Sequence, residues 1–343
     1  MNRFTPHFWI ILRTVLGIGL LYYVLSTTGI WSSINRLISI LWLLPGLVVL
    51  TLFGATVEAK RLGYLFRSQG ICLPFGKGYQ LVTVGTFFNF CIPGGTGGDV
   101  MKLYYLTLEN PGRGIEVATI LFIDRAVALF SLLFLIVGLA LFNRQFVKDY
   151  LLIQWLVIVA GIGMIGILVG IILSCSLRTR IGKLSYPLLT RIRIPFFCYL
   201  ERAFKVLSAF RDYKGVLLGA AFISLCGHLA LTGMFLLVGR EFFPQVSGLT
   251  VGLLALLGML VNALPITPGG LGVGEAAFNG LFGLLGYMGG AQLMLAWRLG
   301  TIPLCLIGCG LYIWGVQREG HPIRQARQIS LFRSSPEEVN SKS

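Results

Sequence analysis

The chain has 343 residues, 56% of them hydrophobic and only 12% charged, with a mean hydropathy of +0.82. That composition excludes an ordinary soluble globular domain. The formal charge of +15 lies mostly between apolar runs and builds no basic soluble module, which excludes a nucleic-acid-binding domain and instead sets orientation and attraction to anionic headgroups.

Apolar runs of about 20 residues recur along the chain, the length a helix needs to cross a bilayer. The first, Phe8–Ser26, lacks a small-residue cleavage site and reads as a retained span. Ile40–Val57 is the second. Lys60, Arg61, Arg67 and Lys77 follow against a single Glu58, so this loop belongs on the cytoplasmic side. Leu81–Asn89 is too short to cross before Pro93 and a glycine run stop it, and Leu103–Leu106 is shorter still. The pair reads as a re-entrant hairpin from the cytoplasm, tolerated at depth only where protein or a watery cavity covers it. Ile115–Phe142 is the third span and carries Asp124 and Arg125; Leu151–Ser174 is the fourth.

The interval 175–214 holds nine basic residues against two acidic ones, which fixes it inside. Within it Phe196, Phe197, Leu200, Phe204 and Leu207 recur at helical spacing, the pattern of an amphipathic helix on the inner leaflet; a plain connector is the alternative. Gly215–Gly239 is the fifth span. Leu249–Asn262 and Ala276–Tyr287 flank a second Pro/Gly run, a hairpin entering from outside. Ala291–Val316 is the sixth span and carries Arg298. The tail, 321–343, is basic, then polar and Ser-rich, and reads as a disordered cytoplasmic segment.

The expected fold is therefore an all-α polytopic membrane protein. It has six transmembrane helices plus two re-entrant helical hairpins in one integral membrane domain over 1–320, in a bacterial-type inner (cytoplasmic) membrane with both termini cytoplasmic. Seven cysteines and three histidines are scattered without metal-ligand or disulfide spacing, so no metal and no cofactor is expected.

The two interrupted segments share an order of parts. Asn89 precedes Pro93, Gly94, Gly95, Gly97, Gly98 and Asp99, with Lys102 a turn later; Asn262 precedes Pro268, Gly269, Gly270, Gly272, Gly274 and Glu275. Asn262 follows Asn89 by 173 positions, and Arg298 follows Arg125 by the same 173. Glu275 follows Asp99 by 176, the extra residues falling in the second glycine run. Residues about 40–142 and 215–316 thus form a repeat, and span direction makes the units opposite in topology. Inverted repeats with broken helices mark transporters whose substrate lies where the breaks meet.

Asp99, Arg125, Glu275 and Arg298 fall in or beside apolar segments, where each costs about 2.5–3.5 kcal/mol at a helix centre. Pairing relieves that cost, with Asp99–Arg125 and Glu275–Arg298 as first pairs. Asp124 faces about 100° away from Arg125 on a helix and needs another partner. Two uses stand for the acids: substrate contact in a polar centre, or capping of helix-start N–H groups. The glycine runs suit an anion nest for a lipid phosphate, and Lys102 either meets that phosphate or snorkels to the surface. No nucleophile elbow, metal motif or P-loop is present, so catalysis would fall to Asp99 or Glu275 alone.

These residues, with the Asp124-Arg125 pair and Pro268-Gly269-Gly270 through Glu275, resemble the lysylphosphatidylglycerol synthetase transmembrane-region family of flippase-like membrane proteins, over about residues 5–320. The resemblance implies an integral membrane protein that moves an aminoacylated, glycan-linked or otherwise polar or anionic lipid between leaflets. The soluble aminoacyltransferase domain of two-part members is not expected after Ser343. The candidate substrate-contacting set, from the glycine runs and the buried charges, is Asn89, Gly94, Gly95, Gly97, Gly98, Asp99, Lys102, Arg125, Asn262, Gly269, Gly270, Glu275 and Arg298. Implied partners are a phospholipid or lipid-linked substrate, the bilayer, a lipid-modifying enzyme and a second copy of the chain. The competing expectation is a non-transporting partner of a lipid-modifying or glycosyltransferase enzyme.

Overall fold

The computed structural model describes residues 30–91, 97–184 and 214–319, together with a few positions between 15 and 26. Among the described residues every regular element is helical. Backbone N–H and C=O groups in a bilayer must be satisfied within the segment, and a helix does that. The order is α1 (Ile30–Ser39), a 3₁₀ turn, α2 (Leu44–Ser68), α3 (Phe75–Cys91), α4 (Gly97–Glu109), α5 (Gly114–Phe142) and a short α6 (Arg144–Asp149). Then come α7 (Leu151–Leu184), α8 (Lys214–Phe242), α9 (Gly248–Asn262), a second 3₁₀ turn (Pro268–Gly270), α10 (Val273–Gly283) and α11 (Gly290–Glu319).

Among the described residues, five helical stretches are long and apolar enough to cross a membrane: Leu41–Ser68, Gly114–Phe142, Leu151–Gly170, Gly215–Phe242 and Gly290–Gly315. They match five of the six expected spans. The span at Phe8–Ser26 falls almost wholly outside the described residues. So do the interfacial helix around Phe196–Leu207, the tail 321–343, and Gly94 and Gly95 of the first glycine run.

Several boundaries differ from expectation. The second span does not end at Val57. No breaker interrupts it until Gly70, at φ 69°, so Lys60, Arg61 and Arg67 stand on α2 and not in a loop. The first hairpin leg starts at Phe75, after Pro74, which puts Lys77 on α3. Helix α7 continues to Leu184, into the stretch read as a linker. The return leg of the second hairpin is Val273–Gly283 and not Ala276–Tyr287, because Gly272 at φ 79° starts it and Gly286 at φ 78° follows its end.

Each hairpin has its own apolar core. Leu81 of α3 and Leu106 of α4 join Leu62, Leu65 and Phe66 of α2 and Val117 and Ile120 of α5. Around the second hairpin Phe235, Phe243, Phe278 and Phe282 cluster, the Phe243 and Phe282 rings stacked at 4.7 Å. The large exposed apolar side chains, among them Phe122, Phe142, Ile162 and Leu218, fit a lipid-facing perimeter.

Equivalent positions make equivalent contacts inside the two hairpins. In the first, a Cβ on Gly98 would lie 2.5 Å from the Gly85 carbonyl oxygen and 3.0 Å from Asn89 Nδ2; a Cβ on Gly85 would lie 3.2 Å from Lys102 Cε. In the second, a Cβ on Gly274 would lie 2.5 Å from Asn262 Oδ1, and one on Gly258 would clash with Phe278. Gly258 follows Gly85 by the same 173 positions that separate the asparagines. Only glycine lets the paired legs approach this closely.

Candidate functional site: a cavity between the two interrupted segments

The second glycine run reaches the end of the first hairpin leg. A Cβ on Gly269 would lie 3.3 Å from Phe90 Cδ1 and 3.5 Å from the Asn89 carbonyl oxygen. Around this junction lies a cavity of about 420 Å³. Its walls come from α2 (Glu58, Arg61), α3 (Thr86, Asn89, Phe90), α5 (Arg125), α8 (Ser224, His228), α9 (Asn262), the Pro268–Gly270 turn and α11 (Trp297, Thr301).

Of the residues marked in the sequence, Asn89, Arg125, Asn262, Gly269 and Gly270 line the cavity. Gly97, Gly98, Asp99, Lys102, Glu275 and Arg298 are not among its lining residues and form the layer that holds the lining side chains in place. Asn89 Oδ1 accepts the Gly98 N–H at 2.8 Å, closing α3 onto the first turn of α4. Its repeat counterpart differs: Asn262 Oδ1 is buried with no hydrogen-bond partner among the described residues.

Both acid–arginine pairs are present, in unlike settings. Arg125 donates to Asp99 at 2.6 Å, and their side chains are 50% and 29% exposed. Arg298 donates through Nε to Glu275 and through Nη1 to the Gly269 carbonyl at 3.1 Å. Those side chains are 10% and 0% exposed. Glu275 also accepts the Gly272 N–H at 2.8 Å at the start of α10, the backbone half of a capping box, since glycine has no side chain to supply the other half. For Glu275 the two uses open in the sequence resolve toward capping and pairing, since the carboxylate is fully buried and engaged.

Three N–H groups of the second run are already engaged. Gly270 N–H donates to Thr267, Leu271 N–H to Pro268 and Gly272 N–H to Glu275. A nest needs free N–H groups converging on one point. Those three groups are not free to join one. In the first run the Gly98 N–H is likewise spent on Asn89.

Three charged or titratable cavity residues escaped the sequence reading as site residues: Glu58, His228, and Arg61, the partner of Asp124. Its Nε meets Asp124 Oδ1 at 2.7 Å, Nη2 meets Oδ2 at 2.9 Å, and Nη1 donates to Ser224 Oγ at 2.9 Å. The side chains are only 8% and 3% exposed, so the bidentate pair satisfies two charges that would otherwise be costly. It ties α2, α5 and α8 together. His228 Nδ1 lies 2.9 Å from the Ser224 carbonyl and must donate there, which leaves Nε2 as the acceptor in the neutral ring. Glu58 accepts from Lys102, whose side chain is 4% exposed, while its own is 33% exposed on the cavity side. The missed signal was the uninterrupted helical run through Ser68, which carries Glu58 and Arg61 on one face at i and i+3.

A family model described as the lysylphosphatidylglycerol synthase TM region matches residues 10–308 of the chain. No curated protein and no solved structure matches it.

Proposed function

From the chain's membership of the lysylphosphatidylglycerol synthase TM-region family, a family of membrane proteins of the lipid-modification or flippase kind, we propose that it translocates a polar or anionic lipid between leaflets. The cavity at the meeting point of the two interrupted segments carries this proposal. It takes walls from both repeats and charge from Glu58, Arg61 and Arg125 on crossing helices. A headgroup needs such a wet, polar interior to pass hydrocarbon, while acyl chains stay in lipid.

In this scheme the two hairpins dip from opposite faces, and the bundles around them rock to open the cavity to each leaflet in turn. The scheme takes both termini and the basic 175–214 interval as cytoplasmic, from the charge bias of the sequence. The chain acts as a carrier and not as an enzyme. Glu58, Asp99, Asp124 and Glu275 are each held by a lysine or arginine, which suits charge balance around a headgroup.

Reconstitution tests it. The purified chain in vesicles should speed leaflet exchange of fluorescent phosphatidylglycerol or phosphatidylethanolamine at least severalfold over empty vesicles, and Arg125→Gln should remove most of the gain. Equal rates with and without protein, across anionic, aminoacylated and glycosylated lipids, reject translocation.

A further inference from the structure

The two repeats carry unequal charge. Glu58, Arg61, Lys102 and Asp124 surround the first hairpin; at the repeat offsets stand Leu231, Met234, Phe278 and Trp297. Beyond the shared acid–arginine pair, the first half therefore has four additional charges, and the second half none of them.

Three ion pairs link four of the residues in a chain: Glu58 to Lys102, Lys102 to Asp99 at 4.0 Å, and Asp99 to Arg125 at 2.6 Å. The two ends, Glu58 and Arg125, line the cavity and are 33% and 50% exposed; Lys102 in the middle is 4% exposed. Two acids and two bases leave the chain neutral. The Glu275–Arg298 pair has no such reach, because Arg298 is already committed to a buried carboxylate and to the Gly269 carbonyl.

We infer that the Glu58–Lys102–Asp99–Arg125 chain is an exchange relay for a phosphate ester whose headgroup also carries a hydrogen-bond donor, an amine or a hydroxyl. An incoming phosphate takes the exposed guanidinium of Arg125 in a charge-assisted contact. Asp99 then loses that partner but keeps Lys102, which closes the remaining gap. As Lys102 moves toward Asp99, the Glu58 carboxylate is released to accept from the headgroup donor. With an ammonium headgroup every charge keeps an opposite partner at each stage, which matters because an orphaned buried charge is costly; with a hydroxyl headgroup the released Glu58 carboxylate keeps a hydrogen bond on its 33% exposed cavity side. The second pair stays closed throughout and holds the turn against Asn89 and Phe90. The relay rests on the translocase reading of the cavity and adds the headgroup chemistry and the division of labour between repeats.

Binding is the test, separate from movement. The detergent-solubilised full chain is titrated in native mass spectrometry with phosphatidylethanolamine, phosphatidic acid and diacylglycerol, and with soluble phosphoethanolamine as competitor. Both phosphate lipids should bind, and diacylglycerol should not. Arg125→Gln should weaken both by about tenfold or more, and Arg125→Lys should restore most phosphatidic acid binding. Glu58→Gln should weaken phosphatidylethanolamine selectively. Lys60→Gln, the same charge loss on an exposed face of α2, should change neither. Equal losses in Arg125→Gln and Lys60→Gln, equal losses of both lipids in Glu58→Gln, or binding of diacylglycerol would overturn the relay. Competition by phosphoethanolamine at matching concentration supports the same chemistry with a soluble phosphate ester as its source. No lipid binding by the unaltered chain sinks relay and lipid site together, whereas the predicted binding pattern without leaflet exchange sinks translocation alone.

Discussion

Arg61 grips Asp124 through both edges of its guanidinium, Nε to Oδ1 at 2.7 Å and Nη2 to Oδ2 at 2.9 Å. The pair lies deep between α2 and α5, where water contributes little screening. Removing one partner strands the other. Asp124→Asn or Arg61→Met alone should cost about 3–5 kcal/mol. The double change Arg61→Met with Asp124→Leu, which imitates the apolar residues of the second repeat, should recover most of that loss. Thermal denaturation of the four proteins in one detergent gives the comparison, and a double variant as unstable as the singles would contradict it.

The two repeat-related acids should part company in stability. Glu275 is fully buried, bonded to the Gly272 N–H and paired with Arg298, so Glu275→Ala should lower the melting temperature by the equivalent of about 3–5 kcal/mol. Asp99 shares its charge with a half-exposed arginine, and Asp99→Asn should cost about 1 kcal/mol or less. Asp99→Asn should nevertheless reduce leaflet exchange. Equal melting shifts would show that the first pair is as dry as the second.

Gly98 should tolerate no side chain. A Cβ there would sit 2.5 Å from a backbone oxygen of Gly85, and neither leg can yield without losing the Asn89 hydrogen bond. Gly98→Ala should destabilise by about 1–3 kcal/mol, the range of overpacking in a close-packed core. Gly46→Ala, with nothing within 4 Å of the added carbon, should be close to neutral. Chemical denaturation distinguishes the two.

Water should reach the cavity. In a background with all seven cysteines replaced, Thr86→Cys and His228→Cys, both partly exposed in the cavity wall, should react with a membrane-impermeant maleimide in open vesicles or nanodiscs. Phe222→Cys, exposed on α8 but facing the lipid perimeter, should react at least tenfold more slowly, since thiolate formation and reagent access both need water. Comparable rates at the three positions would remove the case for a wet headgroup site.

Much of the membrane architecture was legible in the chain because hydrocarbon is an unforgiving solvent. A run of about 20 apolar residues has essentially one fate there, so five expected spans recur, four of them within a few residues of their forecast bounds. The glycine runs were legible for the same reason, as breaks in otherwise apolar segments. The common offset of Asn89, Arg125 and their counterparts pointed to both acid–arginine pairs. What misled was charge. Lys60 and Arg61 looked like loop residues because isolated charges are costly in a span, yet nothing local breaks α2 before Gly70.

The sequence alone determined that this chain spans a membrane repeatedly, is interrupted twice by glycine, and carries matched acids and arginines. Each of these is a local property, set by side-chain transfer energy and backbone freedom within a short window. Only the tertiary structure decided that Arg61 belongs to Asp124, that Glu58 and Lys102 extend the Asp99–Arg125 pair, and that one arginine faces a cavity while its repeat counterpart is locked behind it. Those outcomes depend on which helices pack side by side. Packing brings together residues such as Arg61 and Ser224, 163 positions apart, that no short window can compare.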